Sequence, residues 1–130
     1  MLQKLKKMIP VMAIVMLFSS TIAYAATYDI DAYLAPSGYR HSALREKSVE
    51  GSARIVSIGS PDDCYIRYTV INNAGYQKSE PKVVEIVSTS YVAYPEKNNV
   101  QVGDFLKLKA ENYATSNGGA FVTLKTNWRP

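Results

Sequence analysis

Cys64-Tyr65-Ile66-Arg67-Tyr68-Thr69-Val70-Ile71 alternates without a break. Cys64, Ile66, Tyr68 and Val70 fall on one side, and Tyr65, Arg67 and Thr69 on the other. Successive side chains of an extended chain point to opposite faces, so a period of two describes a strand with one buried and one wet face. Asn72, Asn73 and Gly75 end the run. Ahead of it, Gly59-Ser60-Pro61-Asp62-Asp63 reads as a turn in which Pro61 presets the backbone angle.

The same pattern recurs on both sides of this stretch. Downstream, Pro81 opens a β-branched run through Val83, Val84, Ile86 and Val87 that continues to Tyr91, Val92 and Tyr94 and is closed by Pro95. Glu96-Lys97-Asn98-Asn99 is a turn leading to Val100 and Val102, and Gly103-Asp104 is a tight turn. From Phe105 to Glu111, Leu106, Leu108 and Ala110 oppose Lys107, Lys109 and Glu111. After the Ser116-Asn117-Gly118-Gly119 loop, Val122, Leu124, Thr126 and Trp128 oppose Phe121, Thr123 and Lys125. Upstream, Tyr28, Ile30, Ala32 and Leu34 share a face within a strand from Thr27 to Leu34, broken by Pro36-Ser37-Gly38. Val49–Ile58 is a strand in which Gly51 marks a bulge. His41–Lys47 is polar and irregular, with room for a short helical turn.

Beyond residue 25 no window sustains apolar residues at i, i+3, i+4 and i+7. About seven strands with turns between them predict an all-β fold. The expected form is an antiparallel β-sandwich, immunoglobulin-like or jelly-roll-like, because a sheet with one apolar face must cover it with a second sheet. A small closed barrel is the alternative.

The N-terminus reads as an address. Lys4, Lys6 and Lys7 precede the apolar run Met8–Phe18, and Ala23-Tyr24-Ala25 follows Ser19, Ser20 and Thr21. A basic start, a short apolar core and small residues before a cut describe a secretory signal peptide over residues 1–25, cleaved between Ala25 and Ala26. The apolar run is about half the roughly 20 residues that span a bilayer. The expectation is a single domain over residues 26–130, extracellular, with no membrane span after cleavage. Cleavage takes three lysines and no acid, so 15 basic against 11 acidic residues becomes 12 against 11. Such a near-neutral domain has no long-range field to gather polyanions, which argues against nucleic acid as a partner.

Val102-Gly103-Asp104-Phe105-Leu106-Lys107-Leu108-Lys109-Ala110-Glu111-Asn112, followed by a strand ending in Asn127-Trp128-Arg129-Pro130, resembles the tail of small secreted proteins from Gram-positive bacteria. Those proteins pair a signal peptide with one β-rich domain of unknown function. The resemblance covers about the last third of the chain and implies export and an all-β fold. It brings no catalytic residue.

Groups able to do chemistry are scarce. His41 is the only histidine and Cys64 the only cysteine, so no internal disulfide forms and any Cys–His dyad must use this pair. Cys64 falls on the apolar side of its strand, where cysteine behaves as a small hydrophobe, and His41 sits in a polar loop. One histidine and one cysteine do not fill a zinc site. Asp29 with Asp31, or Asp62 with Asp63, could offer oxygens to calcium, but a wet strand face and a turn explain both pairs. No cofactor, metal or catalytic residue is expected.

The aromatic surplus is the more informative feature, since nine of ten tyrosines remain after cleavage. Tyr33, Tyr39, Tyr65, Tyr76, Tyr94 and Tyr113 are expected on outer faces or loops, where tyrosine can stack on sugars or anchor a protein. Lys107, Lys109 and Lys125 read as protection of exposed or edge strands. The leading expectation is a secreted, non-enzymatic protein that binds a surface polysaccharide or a protein through these tyrosines. A small secreted antagonist, a bacteriocin-like toxin or an inhibitor of an extracellular enzyme, is the alternative.

Overall fold

Among the described residues nine strands form two antiparallel sheets. In chain order they are β1 (Ile30–Leu34), β2 (Tyr39–His41), β3 (Arg45–Glu46), β4 (Ala53–Ser60), β5 (Tyr65–Asn72), β6 (Lys82–Glu85), β7 (Ser88–Val92), β8 (Phe105–Asn112) and β9 (Val122–Arg129). The computed structural model describes residues 28–61, 63–86 and 88–130. The expected signal peptide, its Ala25–Ala26 cleavage site and Asp62 lie outside the described residues.

One sheet has the order β1-β9-β4-β7. The other runs β2-β8-β5-β6, with β3 also paired to β8. The alternation read from the sequence places the core. Ile66, Tyr68 and Val70 of β5 and Leu106, Leu108 and Ala110 of β8 face inward from the five-stranded sheet. Ile30, Ala32 and Leu34 of β1, Ile55 of β4, and Val122, Leu124 and Trp128 of β9 meet them from the four-stranded sheet. The fold is a β-sandwich, as the period-two pattern predicts, because each sheet has one apolar face and only the other can cover it.

Four local expectations are corrected. The run from Pro81 to Tyr94 is two strands: β6 pairs with β5, whereas β7 pairs with β4 in the opposite sheet. A β-branched run favours extended backbone all along its length and carries no mark of the corner where it changes sheets. Tyr39–His41 and Arg45–Glu46 are short strands on the edge of β8, with no helical turn between them. Ser42 bridges them, its N–H donating to the Leu108 carbonyl at 2.8 Å and its Oγ accepting the Leu108 N–H at 2.9 Å. Gly51 marks no bulge, since it lies in the turn ahead of β4. The lysine reading also changes, because Lys107 and Lys109 stand on β8 and Lys125 on β9, each interior to its sheet.

Gly59 of β4 lies tight against the β9 backbone and Ile86. A Cβ there would lie 2.5 Å from the Thr123 carbonyl oxygen and 2.9 Å from the Ile86 Cδ1. Backbone cannot yield as a side-chain tip can, so Gly59→Ala is expected to cost about 2 kcal/mol through the displaced β4–β9 pairing. Urea unfolding measures it, and an unchanged midpoint would contradict this packing.

Candidate functional site

The outer face of the four-stranded sheet can be read row by row from its register. Tyr91, Arg54 and Arg129 stand side by side on β7, β4 and β9. Thr89, Val56 and Asn127 form the next row, then Ile58, Lys125 and Asp31, then Ser60, Thr123 and Tyr33. Four rows on four strands make a platform of roughly 20 by 14 Å. Tyr33 and Phe121 stack at one corner, with ring centroids 5.2 Å apart and planes 16° apart. Tyr91 lies at the diagonal corner, and the exposed Val56 and Ile58 occupy the ground between. Tyr33, Tyr91 and Phe121 are 66%, 53% and 51% exposed, so the rings present more than half their surface to solvent. Lys125 holds its ammonium 5.2 Å from the Tyr28 ring centroid. A shallow depression of about 510 Å³ lies at the arginine end, where Asp29, Arg45, Arg54 and Arg129 line it.

The outer face of the five-stranded sheet has a different character. Glu111 is flanked across the ladder by Tyr39 and Arg67, and Lys109 by His41 and Thr69. The Arg67 guanidinium pairs with Glu111 and lies 5.7 Å from the Tyr113 ring. Lys109 reaches Glu111 at 4.0 Å and stands 4.6 Å over Tyr39, whose ring is 5.3 Å from that of His41. Arg67 and Lys109 are answered here by Glu111 and by the rings of Tyr113 and Tyr39, whereas Lys107, on the same face, has no ion pair or ring contact among the described residues.

His41 feels this environment. Partial burial, then the charges of Lys109 and Lys107, hold its pKa below 6.5. The folded state favours the neutral ring, so the contribution of His41 to stability is present above pH 6.5 and is lost as pH falls through its folded-state pKa. An NMR titration of its ring protons is expected to give a midpoint below the unfolded value, and His41→Gln is expected to flatten the acid limb of the stability profile.

The six tyrosines singled out from the sequence are dispersed. Tyr39, Tyr65 and Tyr113 belong to the five-stranded side, and Tyr33 to the four-stranded side. Tyr76 sits 72% exposed on the loop after β5, its N–H donating to the Asn72 Oδ1. Tyr94 departs from the expected outer position: it packs half-buried against the core and its hydroxyl donates to the Pro130 oxygen at 3.2 Å. Burial pushes its phenol up. Above its ring, at 4.7 Å, lies the ammonium of the buried Lys47, which donates to the Gly51 and Pro130 oxygens at 2.8 and 2.7 Å.

Cys64 is buried in the core while His41 faces solvent from β2, so the two do not form a dyad. The Asp29 carboxylate is engaged by Arg45 Nη1 and the Trp128 N–H, each at 3.0 Å. Asp31 stands beside Lys125 in the register and Asp63 is exposed in the turn. Among the described residues no group of three His, Cys, Asp or Glu is placed to hold a metal, and no helix is long and apolar enough to cross a membrane.

Sequence reading missed Tyr91, Phe121 and the Arg54–Arg129 pair as members of a common surface. Only the register brings them together.

No family model matches the chain, and no curated protein matches it. Among solved structures it is similar to PirA, at 17% identity and a TM-score of 0.47, over 80% of this chain and 94% of that one. A family two carbohydrate esterase from Cellvibrio japonicus matches at 12% identity and 0.46, over 78% of this chain and 27% of that one. AlgX from Pseudomonas aeruginosa matches at 14% identity and 0.43, over 80% and 27%. The chain thus spans about a quarter of the length of the latter two. At these values the likenesses carry no activity, ligand or partner over to this chain.

Proposed function

We propose that the protein is a secreted, non-catalytic β-sandwich that binds a surface polysaccharide along the outer face of the β1-β9-β4-β7 sheet. The observation that carries this reading is the apolar track across that face: the stacked Tyr33–Phe121 pair, Ile58, Val56 and Tyr91. Exposed rings on a flat sheet suit the apolar faces of successive sugar units, and their few rotatable bonds lose little entropy when they bind. Exposed aromatic and aliphatic side chains gathered on one sheet face, with Thr123, Lys125 and Asn127 of β9 among them, call for a binding role more than singly scattered ones do. Export is supported by the Lys4–Ala25 leader pattern.

Retention on immobilised cell-surface polysaccharides tests the reading. Tyr33→Ala combined with Tyr91→Ala is expected to weaken retention roughly tenfold or more, whereas Tyr39→Ala with Tyr76→Ala leaves it unchanged. Equal retention of both double variants, or capture by a protein with no glycan bound, would overturn it.

A further inference from the structure

Resting on that reading, we infer that the polysaccharide is acidic, and that Arg54 and Arg129 hold its anionic groups. The two arginines are direct cross-strand partners on one face of the sheet, β4 to β9. Directly opposed residues of an antiparallel pair stand about 5 Å apart, and like charges so placed are destabilising. Among the described residues no carboxylate forms an ion pair with either guanidinium. Their neighbours in the register are neutral: Tyr91 beside Arg54, and Val56 and Asn127 in the next row.

The acid that lines the same depression is already engaged. The Oδ2 of Asp29 receives both Arg45 Nη1 and the Trp128 N–H. Burial first, and then the charge of Arg129, hold the Lys47 ammonium's pKa below its ordinary value, with Glu50 opposing them. The opposite face supplies the contrast, since there Glu111 answers both Arg67 and Lys109. The arginine pair is thus an unanswered concentration of positive charge at one end of the aromatic track. A guanidinium carries five N–H donors in a planar fork that matches a carboxylate, sulfate or phosphate. A chain lying along the track from Tyr33 to Tyr91 meets the pair at its end, so that sugar stacking and anion binding act on the same ligand.

The experiment compares binding of four polymers to the full chain: polygalacturonate for carboxylate, dextran sulfate for sulfate, a poly(glycerol phosphate) for phosphate, and neutral dextran. The acidic polymer carrying the preferred group is expected to bind roughly tenfold or more tighter than dextran, with the gap closing as salt rises. The Arg54→Gln/Arg129→Gln variant is expected to lose that preference while keeping its dextran binding, and to melt no lower than the parent because a repulsion is relieved. Tyr33→Ala with Tyr91→Ala weakens all polymers together. Equal binding of acidic and neutral polymers, unchanged by the arginine substitutions, would overturn the inference and leave the sugar platform standing. An acid preference that survives them but is lost on Lys107→Gln/Lys109→Gln would overturn it in favour of the other face. Retention of no polymer at all would remove the platform as well.

Discussion

Asn112→Leu is expected to lower the unfolding free energy by about 4 kcal/mol, a large share of the roughly 5–15 kcal/mol available to a domain of this size. Asn112 ends β8 and is 1% exposed. Its Nδ2 donates to the carbonyls of Leu34, Ala35 and Ala120 at 3.1, 3.2 and 2.8 Å. Its Oδ1 accepts from the Asn117 Nδ2 at 2.7 Å. Asn117 in turn treats Tyr65 as a neighbouring strand would: its Oδ1 accepts the Tyr65 N–H at 2.7 Å and its Nδ2 donates to the Tyr65 carbonyl at 2.8 Å. One amide therefore ties the end of β1, the start of β9 and, through Asn117, the start of β5.

Leucine matches the size and leaves these partners without a donor or acceptor in a buried place, where each loss carries its desolvation cost. Asn112→Asp separates shape from hydrogen bonding. Facing three carbonyls, the new carboxyl favours its neutral form, so the loss grows as pH rises through its elevated pKa. Urea unfolding of both variants at pH 5 and pH 8 decides the matter, and midpoints within about 0.5 kcal/mol of the parent would refute the network's role.

Tyr68→Ala is the second large effect, expected at about 4 kcal/mol. Tyr68 is fully buried between the sheets, and its hydroxyl meets Ser57 Oγ of β4 and Thr126 Oγ1 of β9, the latter at 3.0 Å. Burial is the first cause that raises its pKa, and the phenol stays protonated as one member of this hydroxyl cluster. Tyr68→Phe is expected to cost about 1–2 kcal/mol, because Ser57 and Thr126 retain only each other at 3.3 Å. Ser57→Ala and Thr126→Val added to Tyr68→Phe are expected to recover most of that loss, since an apolar trio leaves no orphaned group. If the triple variant is the least stable of the series, the cluster contributes specific energy beyond satisfying itself.

The contrast between Leu108 and Asn112 shows how far sequence alone reaches. Leu108 announces its burial by sitting two residues from Leu106 and Ala110, and the same pattern in β1, β5 and β9 was enough to deduce two facing sheets. Asn112 continues that inward series, yet as an asparagine it reads as a turn residue, because its partners arrive from residues 34, 35, 117 and 120. Lys47 is hidden for the same reason, being buried by a chain segment more than 80 residues away. Tyr33, Tyr39 and Tyr76 are legible as exposed one by one, but Tyr91 is not singled out, Tyr94 is half-buried, and the grouping is not legible. Tyr33 and Tyr91 share a face only because β9 and β4 lie between their strands, and nothing local encodes strand order.

That order also bears on when the molecule can form. β9 separates β1 from β4, and β8 joins β2 and β3 to β5, yet β8 and β9 come last in the chain. Asp29 and Trp128, held together by a hydrogen bond, are 99 residues apart. A growing chain carries β1 to β7 without the strands that unite them until residues 105–129 emerge, and closures over such separations are slow. The strands that join each sheet thus arrive last, and stable closure of either sheet is expected only after residues 105–129 have been made.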